Sequence, residues 1–306
     1  MSGALPMLLP VVPRASESLQ RVVRKPVKCV LYSGVTPLWG RQFAAIATAD
    51  NMTKLHFNHR FLLDVAEAES HGAILDYGCG DGAMVAGAMA RGVDFYGVDS
   101  FYDGGKRKGA VLVTSLLGRR IFELEGDRIP FPPSYFGAAV SNEVLEHVDS
   151  LETVLAELAR VVRPGGWVLC IFPTKGTWWE GHLRMPFAHL VPDMFGLQRA
   201  YIFLCFACGF GCVEDGVSAW VCAGRKRDYL RRCTRYRSDR EVDAAFLGHF
   251  DGFESRELSW LLSRLDQSPS PLGGLIKTVA TYSLGQRLLI WLVRKRANRV
   301  IIARCA

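Results

Sequence analysis

Two glycines, two aspartates and two histidines are the residues of this 306-residue chain whose types and spacing best suit chemistry. Ile74-Leu75-Asp76-Tyr77-Gly78-Cys79-Gly80-Asp81-Gly82 reads as a buried strand running into a glycine turn. Asp99 follows at the end of a second apolar run, Phe95-Tyr96-Gly97-Val98. Gly78 and Gly80 permit backbone angles and a close approach that a Cβ forbids, so a ligand can lie against bare main chain there. An aspartate at the C-terminal tip of the neighbouring strand can accept two hydrogen bonds from a ribose diol. Together these residues describe a pocket for a nucleotide-type cofactor. Gly78, Gly80 and Ala83 also satisfy G-x-G-x-x-G/A, with Asp99 at the separation of roughly 20 residues expected of a dinucleotide site. On these residues alone a nicotinamide dinucleotide remains open.

The histidines suit proton removal. A positioned base adds roughly 10²–10⁴-fold to a reaction in which a hydroxyl must lose its proton. His147 ends the block Ser141-Asn142-Glu143-Val144-Leu145-Glu146-His147, and its plain alternative is a helix-start residue whose ring bonds backbone. His182, in Trp179-Glu180-Gly181-His182, falls on a glycine-bearing loop after a core strand, where functional groups concentrate. His189 is expected to pack structurally. Glu143 and Glu146 either orient a base or are solvated carboxylates in the first turn of a helix. Cys205-x-x-Cys208-x-x-x-Cys212 invites a metal reading, but its neighbours look like packed core and no second ligand pair follows. No metal is therefore assigned.

The elements that must position these residues alternate. Strands are expected over 73–77, 94–98, 121–124, 137–141 and 167–172, with helices over 41–68, 83–91 and 151–162. In the last helix Leu151, Val154, Leu155, Leu158, Val161 and Val162 share one face, and Asp149 or Ser150 can cap it. Alternation of this kind predicts an α/β fold, a mostly parallel sheet with helices on both faces. Arg299-Val300-Ile301-Ile302-Ala303-Arg304, at the end of the chain, is the only convincing closing strand. Residues 1–38 read as a basic, proline-punctuated N-terminal arm and 39–306 as the catalytic domain. Within it, residues 174–248 read as a substrate-side insertion after the fifth strand.

Further blocks in fixed order separate the cofactor readings. Asp76 precedes the first glycine, Ile129-Pro130-Phe131-Pro132 precedes the fourth strand, the S-N-E-V-L-E-H block follows it, and Arg163-Pro164-Gly165-Gly166 closes the next helix. Over residues 60–173 the chain thereby resembles the class I S-adenosylmethionine-dependent methyltransferases, in particular the type 11-like subgroup acting on small molecules, lipids and sugars. The resemblance implies a doubly wound, seven-stranded Rossmann-like sheet and S-adenosyl-L-methionine as cofactor. It places Gly78 and Gly80 against the methionine half, with Cys79 between them among the cofactor-binding residues, and Asp76 at its amino end. Asp99 would hold the ribose hydroxyls, Ser100 would lie beside the adenine, and Asn142 would close the pocket. His147 and His182 are then the candidate catalytic groups for O-methylation of a small-molecule, glycan or lipid-linked acceptor. An NAD(P)-dependent oxidoreductase and a catalytically silent binding module of the same fold are the alternatives.

Composition bears on partners and compartment. Nine cysteines, several within apolar runs, suit reduced, buried thiols in a cytoplasmic protein better than a disulfide framework. Residues 225–240 carry eight basic side chains against two acidic ones, either a solvated helix face or a clamp for phosphate-bearing groups. Nucleic acid is an unlikely partner, because S-N-E-V replaces the [D/N]-P-P-[Y/F/W] turn of amino-methylating relatives and no Pro-Cys nucleophile pair occurs. Leu288 to Val293, bracketed by basic residues, is compatible with peripheral contact with a membrane surface, although core packing is favoured. Oligomeric state is not legible.

Overall fold

The computed structural model describes residues 55–101, 106–268 and 270–306. The expected N-terminal arm and the expected helix before residue 55 lie outside the described residues. The first half of the fold comprises α1 (Phe57–Glu69), β1 (Ile74–Tyr77), α2 (Ala83–Ala90), β2 (Phe95–Asp99), α3 (Lys106–Val113), β3 (Ile121–Glu123), β4 (Phe136–Asn142), α4 (Leu151–Val161) and β5 (Val162–Phe172). A short hairpin follows, β6 (Trp179–Glu180) with β7 (Met185–Pro186), and then α5 (Leu197–Ala207), α6 (Ala219–Cys233) and α7 (Asp239–His249). The chain closes through β8 (Gly252–Ser255), α8 (Glu257–Gln267), α9 (Gly273–Val279), α10 (Ser283–Arg296) and β9 (Arg299–Arg304).

Seven strands form one sheet in the order β3-β2-β1-β4-β5-β9-β8. Every pairing is parallel except those of β9, which runs antiparallel to both β5 and β8. Side chains alternate between two cores because the strand period is two. Leu75, Ala139, Val168, Cys170 and Ile301 enter one core, whereas Ile74, Ala138, Val140, Leu169 and Ile302 enter the other. Both faces are covered by helices, so the strands read as nearly continuous apolar runs. The doubly wound α/β architecture expected from the sequence is the one observed.

Local rules account for most boundaries. Ser150 caps α4, its hydroxyl accepting the Thr153 N–H at 3.1 Å, and Leu151, Val154, Leu155, Leu158 and Val161 are buried as the spacing predicts. The Ile129-Pro130-Phe131 block is pinned by α4: Glu157 accepts the Ile129 N–H, and Arg160 donates to the carbonyls of Ile129 and Phe131. The Arg163-Pro164-Gly165-Gly166 turn is absorbed into β5 as a bulge, the partner of Phe136 being Val162 and that of Ala138 being Trp167. Helix α3 was not expected, since Lys106-Arg107-Lys108-Gly109 is basic, contains a helix-weakening glycine and shows no apolar period.

Segment 174–248 is not uniform. Leu183, Met185, Ala188, Ile202, Cys205, Ala223 and Leu230 close on a small core of their own. Val242, Ala245 and Phe246 of α7 instead join the main core, so this helix belongs to the layer covering the sheet. The basic run is mostly occupied internally. Arg225 pairs with Glu214 and Arg231 with Asp193, while Arg237 donates to the carbonyls of Leu145, Val148 and Asp149. Cys205 is buried, Cys208 and Cys212 are exposed, and these three are free thiols together with Cys79, Cys170, Cys222 and Cys305. Helix α10 departs from simple core packing: Leu289 and Val293 are buried, but Leu288, Trp291 and Leu292 remain exposed.

Candidate active site

The glycine turn sits where β1 meets α2. Gly78 has φ +81°, and a Cβ there would overlap the side chain of Val144. Glycine is thus required twice over, by backbone angle and by space. The contact also docks the turn after β4 directly against the cofactor loop. Gly80 has φ +59° and donates its N–H to Asp99 Oδ2 at 2.8 Å. Asp99 Oδ1 accepts the Phe101 N–H at 2.7 Å in a local turn, so the carboxylate braces the loop and its own strand tip at once. A carboxylate has roughly four lone-pair positions, which leaves capacity for a diol. Ser100 is exposed beside it.

Asp76 lies in β1 at 2% exposure, and burial, followed by the charges of Asp99 and Asp81, pushes its carboxyl well above the usual carboxylate range. A cation placed nearby would favour the ionised form. Cys79 plays a different part from its neighbours. Its side chain packs over Gly97 in the core, its N–H donates to the Val98 carbonyl and its own carbonyl accepts the Gly82 N–H. Burial raises the thiol's pKa further. Cys79 thus shapes the loop from beneath.

Asn142 ends β4. Its Oδ1 accepts from Asn58 Nδ2 at 2.9 Å, and Asn58 Oδ1 accepts from Trp260 Nε1 at 3.0 Å. This chain of amides ties α1 and α8 to the strand end. Glu143 follows in a left-handed conformation, φ 55°, with its carboxyl taking a hydrogen bond from Asn298 Nδ2 at 2.5 Å.

The two histidines, 35 residues apart in sequence, meet: His147 Nε2 and His182 Nε2 are 3.1 Å apart. His147 Nδ1 faces the Cys233 carbonyl at 2.5 Å, and His182 Nδ1 faces Glu180 Oε1 at 2.8 Å. Burial, then the neighbouring His182 charge, pulls the His147 pKa down to about 4. For His182 burial acts in the same direction, but the hydrogen bond and charge of Glu180 outweigh it and the pKa is raised. Glu180 is itself buried, and also accepts from Tyr236 Oη and from the Leu183 N–H, both at 2.5 Å. The backbone-bonded ring foreseen for His147 is present, and its other ring nitrogen faces His182. His189 is structural, its ring against Tyr236 with centroids 4.6 Å apart.

Glu146 corrects the solvated alternative. No helix starts at that turn, the residue is 1% exposed, and its carboxyl lies beside that of Glu143. Its Oε1 lies 3.7 Å from His147 Nε2 and 3.9 Å from His182 Nε2. Burial first, then the charge of Glu143, drives its pKa strongly upward. Glu180, Tyr236 and Asn58 were not singled out from the sequence. Glu180 alone left a signal, standing two residues before His182 and hence able to share its side of an extended segment.

A parallel sheet with an antiparallel seventh strand, a glycine turn after its first strand and a carboxylate at the tip of the second defines the class I S-adenosylmethionine-dependent methyltransferases. Residues 49–266 match the family model described as "Methyltransferase domain", and the chain belongs to that family. Ubiquinone biosynthesis O-methyltransferase of Thiobacillus denitrificans is 30% identical over 106 residues, covering 31% of this chain and 41% of that protein. Its counterpart in Chromobacterium violaceum is 31% identical over 103 residues, with the same two coverages. The chain thus spans about two fifths of the length of the curated relatives it matches. Among solved structures, phosphoethanolamine N-methyltransferase 2 of Haemonchus contortus, in complex with S-adenosyl-L-methionine, superposes at TM-score 0.43. It is 13% identical, with 81% of this chain and 52% of that one covered, an overlap too loose to inform the site. No helix among the described residues is long and apolar enough to cross a membrane.

Proposed function

We propose that this chain transfers the methyl group of S-adenosylmethionine to a hydroxyl oxygen of a small-molecule, glycan or lipid-linked acceptor. The observation that carries the proposal is the convergence of His147 and His182 on one point, three residues along the chain from the Val144 that packs on Gly78. Family membership supports the cofactor, and the O-methyltransferase relatives support oxygen as the atom modified. The cradle fits that cofactor: Gly78 and Gly80 leave bare backbone, Asp99 can take the ribose diol, and the buried Asp76 carboxyl suits its cationic end. When bound, the cofactor supplies a sulfonium methyl carbon that the acceptor oxygen attacks as the carbon–sulfur bond breaks and the sulfur keeps the electron pair.

The residues of this chain do the rest. Asn142, held through Asn58 and Trp260, fixes the floor of the crevice where strand ends converge. The cluster of His147, His182 and Glu146 receives the acceptor hydroxyl and takes up the charge released when its proton leaves. Orientation alone can lower such a barrier by about 7–11 kcal/mol. The small core of residues 183–230 stands beside the cluster as the substrate-side element, since His182 lies in its hairpin. Trp178 and Trp291, in edge contact at 5.4 Å and both partly exposed, favour an acceptor with an apolar portion or a peripheral lipid surface nearby.

The test is a screen of quinone precursors, nucleotide-sugars and lipid-linked sugars with isotopically labelled methyl donor and product analysis. Label on oxygen supports the proposal, whereas label on nitrogen or carbon overturns it. Binding of S-adenosylhomocysteine without transfer to any acceptor would favour the silent binding module.

A further inference from the structure

We propose that Glu146, His147 and His182 form a binding site for a divalent transition-metal ion of the zinc class, with Glu146 Oε1 and the two Nε2 atoms as ligands. The tautomers come first. A carbonyl oxygen only accepts, so His147 carries its proton on Nδ1, facing Cys233. The Glu180 carboxylate likewise holds the proton of His182 on Nδ1. With both rings neutral, each presents a lone pair at Nε2, and the two face each other across 3.1 Å. Only a cation or a shared proton relieves that opposition. Glu146 supplies a third donor at 3.7 and 3.9 Å, buried at 1% exposure.

The dimensions fit an ion. Bonds of about 2.0–2.1 Å directed to tetrahedral corners place neighbouring ligand atoms roughly 3.3 Å apart, so closure needs movements of about half an ångström. The surroundings fit as well. Ligating histidines are oriented by a carboxylate or carbonyl on the second ring nitrogen, and both rings have one. Tyr236 and the Leu183 N–H hold Glu180, while Arg237 clamps the carbonyls of Leu145, Val148 and Asp149 around the ligand-bearing turn. Two imidazoles and a carboxylate suit zinc, cobalt or manganese better than magnesium or calcium.

The ion has a chemical consequence that rests on the function proposed above, although its binding does not. An acceptor hydroxyl in the remaining coordination position would ionise more easily, its proton passing to water, and the metal-loaded rings would act as ligands in place of the charge-accepting role given them above.

Full-length protein stripped with chelator and titrated with cobalt(II) decides the matter. The expected result is about one equivalent bound, with tetrahedral visible absorption, no thiolate charge-transfer band, and displacement by zinc. Glu146→Gln and His182→Gln are each expected to weaken binding about 10–100-fold, while Cys208→Ser with Cys212→Ser leaves it unchanged. Calorimetry with S-adenosylhomocysteine shows that each variant keeps its fold. Sub-stoichiometric cobalt in the parent protein, binding that follows the cysteines, or unaltered affinity in both ligand variants would overturn the site. Stoichiometric metal without methyl transfer would instead refute the proposed function and leave the site standing.

Discussion

Gly78 shows how a single residue links pocket and fold. Gly78→Ala would force a left-handed alanine against Val144, and overpacking of this kind costs about 1–3 kcal/mol. We expect cofactor affinity to fall at least about tenfold by calorimetry. Adding Val144→Ala should restore only part of it, because space returns but the backbone angle stays unfavourable. Asp99→Ala removes the acceptor for two backbone N–H groups as well as a ligand contact. It should abolish S-adenosylhomocysteine binding and lower stability by about 1–3 kcal/mol, read from denaturant midpoints. Asp76 makes a prediction with a sign. Its pKa is raised in the free protein, so a cationic ligand that favours the ionised form must release a proton on binding. Affinity should therefore rise with pH up to the free-state pKa and level off above it. Calorimetry in buffers of differing ionisation enthalpy would expose the proton, and a buffer-independent heat would contradict the assignment.

At the scale of elements, the end of the sheet is held by charge. Arg299 opens β9 at 1% exposure, with Asp243 at 2.9 Å and Asp239 and the fully buried Glu257 each at 3.3 Å. Arg294, from α10, reaches the same Glu257 at 2.7 Å. Removing the guanidinium takes charge-assisted hydrogen bonds from two half-exposed aspartates and leaves the buried Glu257 with Arg294 alone, at a cost of about 1–3 kcal/mol. Arg299→Ala should lower the denaturant midpoint accordingly, while a loss below about 1 kcal/mol would show that water or neighbouring cations compensate. The link from Trp260 through Asn58 to Asn142 is gentler, made of neutral hydrogen bonds. Elements with strong periods were legible: α4 and the strands of the first half fall where spacing and turn residues put them. Helix α3 escaped because its sequence lacks an apolar stripe.

Across the whole molecule, cohesion is uneven. The two cores flanking the sheet run through every long strand, whereas residues 183–230 close on a separate core of seven buried side chains. Local opening follows burial, so α5, α6 and the β6–β7 hairpin should exchange amide hydrogens earlier than β1, β4 and β5. Slowing of exchange in that unit on addition of metal would be its response to the loaded histidine cluster. Uniform exchange across sheet and insertion would show a tighter junction than the packing implies.

The amino-acid order alone determined the glycine turn, the acidic strand tip and the alternation of strands with helices, because each depends on contacts or angles among residues close in sequence. Period-two burial and helix caps are properties of short windows. Tertiary structure decided the meeting of His147 with His182, the burial of Glu146, the turning of Cys79 into the core and the capture of the arginines by internal partners. Each of these depends on which distant segments the sheet order brings together, and residue spacing carries no record of that.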